Sequence, residues 1–164
     1  MTETLLSPAG PVAPVDGRQS AAALAIQRGS LRLLAASGLV GVTELPLASG
    51  RRADIVGLDP RGEVWILEIK SSLADFRADR KWPDYRLHCD RLFFAVAPDF
   101  PVEVLPEETG IILADGFGAA IARPAPHHPM PSATRRALTL RLARAAAARM
   151  MALQDPEGFR ELLL

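Results

Sequence analysis

Two carboxylates and an amine carry the chemistry this sequence offers: Asp54, inside the run RADIVGLD, and Glu68 and Lys70, which close the run EVWILEIK. Both runs have the β-branched and apolar composition of strands, and Asp59-Pro60-Arg61-Gly62 between them is a turn sequence. A type I turn with Gly62 in the left-handed bulge position sets a hairpin index sum of about 122, which places Asp54 directly opposite Glu68. Opposite residues point to the same face with Cβ atoms about 4.5 to 5.5 Å apart. Strand alternation adds Lys70 to that face, with Val64 and Ile66, while Trp65, Leu67 and Ile69 take the other. Carboxylates that close repel one another unless one is protonated or a cation sits between them.

A divalent cation gives all three groups a purpose. Mg²⁺ takes oxygen ligands in octahedral geometry and keeps several waters, so two carboxylates and a backbone carbonyl make an open site. A metal held there acidifies bound water and polarises a phosphoryl oxygen, while the Lys70 ammonium orients that water or holds transition-state charge. Glu44 adds a third carboxylate if its segment reaches the same edge. A purely structural triad, with Lys70 neutralising the two acids, is the competing reading, and the residues by themselves do not choose.

The elements that must position these groups follow from the pattern. Residues 1 to 16, with Pro8, Pro11 and Pro14 among small residues, read as a flexible arm. The spacing of Leu24, Leu31 and Leu34 predicts a helix over Arg18 to Ser37, stopped by Gly38 and weakened by Gly29. VGVTELPL at 40 to 47 reads as a strand before the hairpin. Ser72 followed by Asp75 is a capping signature for a helix through FRADRK, interrupted or restarted near Trp82-Pro83. The nearly all-apolar RLFFAVA at 91 to 97 predicts a central strand, and the helical crossover that reaches it favours parallel pairing with the 63 to 70 strand. GIILAD and GAAIARPA, around a DGFG turn, give two more strands, and HHPMP a linker. Ser132 is placed to cap a helix to about Gln154 with an apolar stripe of Leu138, Leu142, Ala145, Ala146 and Leu153, opposite Arg136, Arg141 and Arg144. The order implies an α/β protein with a mixed central sheet flanked by helices. It divides into a 1–16 arm, a 17–125 core, and a 126–164 linker and basic helical segment packing on that core.

Charge and composition bound the function. The 164 residues fit one domain, and formal net charge is zero. The charge is nevertheless uneven: between Asp115 and Asp155 there is no acid but six arginines, and none between Asp16 and Glu44, where Arg18, Arg28 and Arg32 lie. Basic flanks around an acidic centre suit a binder of phosphate backbone; the plainer reading is arginine solvating two Ala/Leu-rich helices. One cysteine, Cys89, no apolar leader and no bilayer-length run suggest a cytoplasmic protein with no membrane partner. No CxxC pair, HExxH helix, Walker loop or GxSxG elbow is present, which removes the usual zinc, ATP and acyl-transfer signatures. Lys81 and Tyr85, at i and i+4, could approach nucleic-acid phosphate together if the helix survives Pro83; otherwise Lys81 is a solvated helix-end cation and Tyr85 packs. Asp75 is expected to serve the helix start, Asp79 to pair with Arg77, Arg80 or another neighbour, Asp90 to bond backbone amides, and Trp82 to sit in the core.

The order Glu44, Asp54, Glu68-x-Lys70 resembles the PD-(D/E)xK nuclease superfamily over roughly residues 20 to 97, with Ala53 in place of the proline before the aspartate. The longer run RRADIVGLDPRGEVWILEIKSSLADFRADRKWPDYRLHCDRLFFAVA looks like the MmcB-like DNA repair proteins of bacteria along most of the chain. That resemblance implies a restriction-endonuclease-like fold and a role in DNA repair. It also implies Mg²⁺ or Mn²⁺ on Asp54, Glu68 and the Ile69 carbonyl, with Glu44 as a further candidate ligand, and Lys70 acting on the nucleophilic water. A metal-dependent nuclease acting on DNA is therefore the leading expectation. A non-catalytic DNA-binding repair accessory that keeps the fold is the alternative, and a module whose arginine-rich helices bind an acidic protein partner is a third. The DNA structure preferred, a repair-protein partner and the oligomeric state stay open.

Overall fold

A computed structural model describes residues 19 to 159, so the arm expected at 1–16 lies outside the described residues. The described chain runs α1 (Ala21–Ala36), β1 (Val40–Pro46), β2 (Arg52–Leu58), β3 (Val64–Lys70), α2 (Leu73–Ala78), α3 (Trp82–Tyr85), β4 (Arg91–Val96), β5 (Gly110–Ala114), β6 (Ala119–Arg123) and α4 (Ser132–Gln154). The strands form one six-stranded sheet in sequence order. β1, β2 and β3 pair antiparallel, β3 with β4 and β4 with β5 pair parallel, and β6 returns antiparallel to β5.

The hairpin behaves as its turn requires. Gly62 has φ +89°, the Gly62 amide donates to the Asp59 carbonyl at 3.1 Å, and the pairs run from Leu58 with Val64 to Ile55 with Leu67. Each pair sums to 122, so the register that puts Asp54 opposite Glu68 is the one formed. β4 is buried along almost its whole length because β3 and β5 flank it and both faces are covered, which is why its sequence does not alternate.

Two apolar layers sandwich the sheet. On one face Ile26 and Leu34 of α1 pack with Ile55, Leu67, Ile69, Phe93 and Ile112. On the other, Leu138 and Leu142 of α4 pack with Val42, Leu45, Val56, Val64, Ile66 and Leu92. Glu68 and Lys70 belong to the α4 face by alternation but lie beyond its apolar contacts, at the end of β3. Gly29, a weak point in the helix pattern, has a packing reason: a Cβ there would overlap the carbonyl oxygens of Asp115 and Gly118 in the β5–β6 turn. Any larger residue would push α1 off the sheet.

Two details of α4 differ from expectation. Its N-cap is Pro131, with no side-chain cap bond, and Ser132 is already the first helical residue. The regular helical bonding begins with the Arg135 amide on the Pro131 carbonyl at 3.0 Å, and the Arg135 side chain anchors this first turn through its ion pair with Asp90. Leu153 is 52 % exposed and Ala152 is buried in its place. The buried seam follows a 3.6-residue period, which has drifted to Ala152 by the last turn.

Candidate active site

The hairpin changes character where the two acids meet. Beyond the Ile55–Leu67 pair, side chains take over the bonding: the Asp54 amide donates to Glu68 Oε1 at 3.2 Å, and the Ile69 amide donates to Asp54 Oδ2 at 2.7 Å. Each carboxylate thus holds the backbone of the opposite strand with one oxygen. Both line a cavity of about 490 Å³ with Ile69, Lys70, Ser71, Asp75, Asp79, Lys81 and Tyr85, roofed by Gln19, Ser20 and Ala23 at the start of α1.

Burial sets the electrostatics. Glu68 is 3 % exposed. Desolvation, followed by the charge of Asp54, pushes its carboxyl well above the usual range. Asp54 is pushed up to about 6, chiefly by burial and against the pull of the Ile69 amide. Glu44 raises Asp54 further and Lys70 lowers it. Lys70 is also buried, and its Nζ lies 2.6 Å from Asp79 Oδ2. Burial works against the Lys70 charge, but the hydrogen bond and charge of Asp79, helped by Glu68 and Asp75, outweigh it and raise the amine. Asp79 is correspondingly held low: burial opposes its charge, and the Lys70 bond and the Lys81 amide overcome that.

The partner of Asp79 is therefore neither Arg77 nor Arg80 but Lys70, on β3. The cause is the shortness of α2, which ends after six residues. The chain then turns, with Asp79 Oδ1 accepting from the Lys81 amide at 2.7 Å, and that turn brings the carboxylate back over the sheet.

Glu44 stands on β1 with φ +52°, a left-handed conformation uncommon for a side-chain-bearing residue. Its carboxylate meets Arg52 Nε at 2.6 Å and accepts from Gln19 Nε2 at 2.9 Å, beside the cavity and not among its lining residues. Asp75 does line the cavity, where it accepts from the Ser71 amide at 3.1 Å while its own amide donates to Ser72 Oγ. Among the described residues, no group of three or more His, Cys, Asp or Glu side chains is arranged to hold a metal. What the site offers is a pair: two carboxylates, each with an oxygen not engaged by the opposite backbone, buried together while the nearest amine is bonded elsewhere. That donor set fits a hard cation that fills its remaining positions with water or phosphate oxygen.

The family model for MmcB-like DNA repair proteins matches residues 10–157. The chain belongs to that family. A similar solved structure is the SPO1766 protein of unknown function from Silicibacter pomeroyi, 46 % identical, with a TM-score of 0.82 over 85 % of this chain and 96 % of that one. No curated protein matches the chain.

In this MmcB-like protein Lys81 and Tyr85 both reach the cavity wall, from opposite ends of the one-turn α3. Tyr85 is buried, its hydroxyl donates to the Arg52 carbonyl at 3.0 Å, and its acidity is suppressed by burial and by Glu68, Asp54 and Asp79. It fastens α3 to β2 as a neutral phenol. Trp82 packs edge-on against Phe94, as a core aromatic does. Asp90, expected to bond backbone amides, accepts from Val64 at 2.8 Å and Met130 at 2.9 Å. Sequence reasoning missed two contributors, Asp79 as the holder of Lys70 and the start of α1 as the roof. The only signal for the first was an acid in a short helix before Trp-Pro.

Proposed function

We propose that this DNA repair family member is a metal-dependent nuclease of restriction-endonuclease-like fold that hydrolyses DNA phosphodiester bonds. The observation that carries the reading is the convergence of Asp54 and Glu68, each bonded across the hairpin to the other's strand, in one cavity with Lys70. The helix, antiparallel meander, helical crossover and parallel strand that build this corner support the fold reading.

Asp54 and Glu68, with the Ile69 carbonyl, would hold Mg²⁺ or Mn²⁺, with Glu44 beside them as the outer acid. The ion would supply a Lewis acid for water and for the phosphate. Lys70 enters as an ammonium, because its amine is raised rather than lowered, so it donates hydrogen bonds to the attacking water or to a phosphate oxygen and does not serve as the base. With one N–H on Asp79, two remain for that task. Lys81, on the rim, is placed to meet the DNA backbone, and Tyr85 supports the helix that presents it.

Purified protein with Mn²⁺ is expected to cut at least one of single-stranded, nicked or branched DNA, and Glu68→Ala or Lys70→Ala to abolish cutting while leaving the fold intact. Absence of cleavage across those substrates and metals overturns the enzymatic reading.

One observation favours a second reading. α4 carries no acidic residue in 23, and its Arg136, Arg141 and Arg144 are exposed. A non-catalytic accessory gripping DNA through that helix would show salt-sensitive binding that persists in Glu68→Ala and needs no metal.

A further inference from the structure

We propose that Asp79 is a positioning residue that draws the Lys70 ammonium aside and so leaves Asp54 and Glu68 free to hold a cation. The inference rests on the metal-site reading above and names a residue that reading does not use. Lys70 leaves β3 on the same face as Glu68, two residues on, and lines one cavity with both buried carboxylates, each of which feels its charge. An ammonium there would itself satisfy the two acids, and a divalent ion would have to displace it. The observed bond goes elsewhere, to Asp79 at 2.6 Å, with both side chains nearly sequestered at 8 % and 12 % exposure.

Asp79 is well built for that hold. Its Oδ1 accepts from the Lys81 amide at 2.7 Å, so the carboxylate is fixed by the turn between α2 and α3 and only Oδ2 faces the amine. Among the described residues Lys70 Nζ has no such second anchor: its flexible stem would let Nζ swing back to the paired acids if Asp79 lost its charge. The pair therefore keeps the ammonium off the two acids and leaves it beside the cavity.

Asp79→Asn separates this role from a merely structural one. The asparagine Oδ1 still accepts from the Lys81 amide and keeps the turn, but the side chain no longer attracts an ammonium. Mn²⁺ binding measured by calorimetry is expected to weaken about tenfold or more in Asp79→Asn, and to return to within about threefold of wild type in Asp79→Asn/Lys70→Met. A metal-free crystal structure of Asp79→Asn distinguishes a released amine from a simple change of net charge: Nζ is expected within hydrogen-bond distance of an Asp54 or Glu68 oxygen. Asp79→Ser, which keeps an acceptor for the turn, repeats the measurements if asparagine disturbs the fold.

The positioning role is overturned if Asp79→Asn binds Mn²⁺ as wild type does, or if Nζ stays at position 79. Wild type that takes up no Mn²⁺ overturns the metal site itself, a different failure, and the inference with it.

Discussion

Asp90 and Arg135 form a two-pronged ion pair, Nη1 to Oδ2 at 2.6 Å and Nη2 to Oδ1 at 2.7 Å, that ties the first turn of α4 to the start of β4. The same carboxylate accepts from the Val64 and Met130 amides, and Arg135 Nη1 also donates to the Gly62 carbonyl at 2.6 Å. Strand β3, strand β4, the linker and α4 therefore meet at one buried acid.

Asp90→Ala leaves two buried amides without their side-chain acceptor and a half-buried guanidinium with the Gly62 carbonyl but no counter-charge, and is expected to cost about 3 kcal/mol or more. Urea unfolding checks the magnitude. Despite the cost of burial, the Arg135 and backbone bonds hold the Asp90 carboxyl down to about 2. Its stabilisation is thus present above the usual aspartate pKa and disappears as pH falls through about 2, a low-pH loss that Asp90→Ala should not show.

Asp54 gives the opposite slope. Its carboxyl is raised from 3.8 to about 6, so between those values the folded protein retains a proton the unfolded chain has released. The Asp54 contribution to stability without metal should decline as pH rises from about 4 to 6, an effect Glu68 reinforces, and Asp54→Asn should remove the Asp54 share of that decline from the profile. Unfolding free energies at several pH values in chelator provide the measurement. An Asp54→Asn profile that runs parallel to that of wild type through this window would contradict the raised carboxyl assigned to Asp54.

Gly29→Ala sets two effects against each other. In a free helix the change gains about 1 kcal/mol from propensity. Here the added methyl would overlap two backbone oxygens of the β5–β6 turn, which cannot rotate away as a side chain can. The expected outcome is a net loss of about 2 kcal/mol or more, read from the urea midpoint; a stabilised variant would show that α1 does not approach the turn this closely.

The proposed DNA grip of α4 predicts that Arg141→Ala/Arg144→Ala weakens binding of a fluorescent duplex and makes its salt dependence shallower by a slope of about 1 to 2. Unchanged affinity and slope in that variant would remove α4 from the DNA interface.

Several features were fixed by local sequence. Gly62 and the turn around it impose a pairing that sums to 122, and with strand alternation that alone brings Asp54 opposite Glu68 and sends Lys70 to the same face. The unbroken apolar run Leu92 to Val96, short and bounded by polar and proline-containing segments, reads as a strand covered on both faces. Such rules act over neighbouring residues or across one tight turn, so they can be read without a fold.

Tertiary structure decided the rest. That Lys70 bonds Asp79 depends on where α2 stops and how the chain turns back over β3. That Gly29 is required depends on β6 returning beside β5 to place its turn under α1. The roofing of the acids by the start of α1, which completes their cavity, is likewise a contact between segments remote in sequence. An ion pair or a close approach is set by distances through space, and only the packing of α1 and α4 on opposite faces of the sheet fixes those distances.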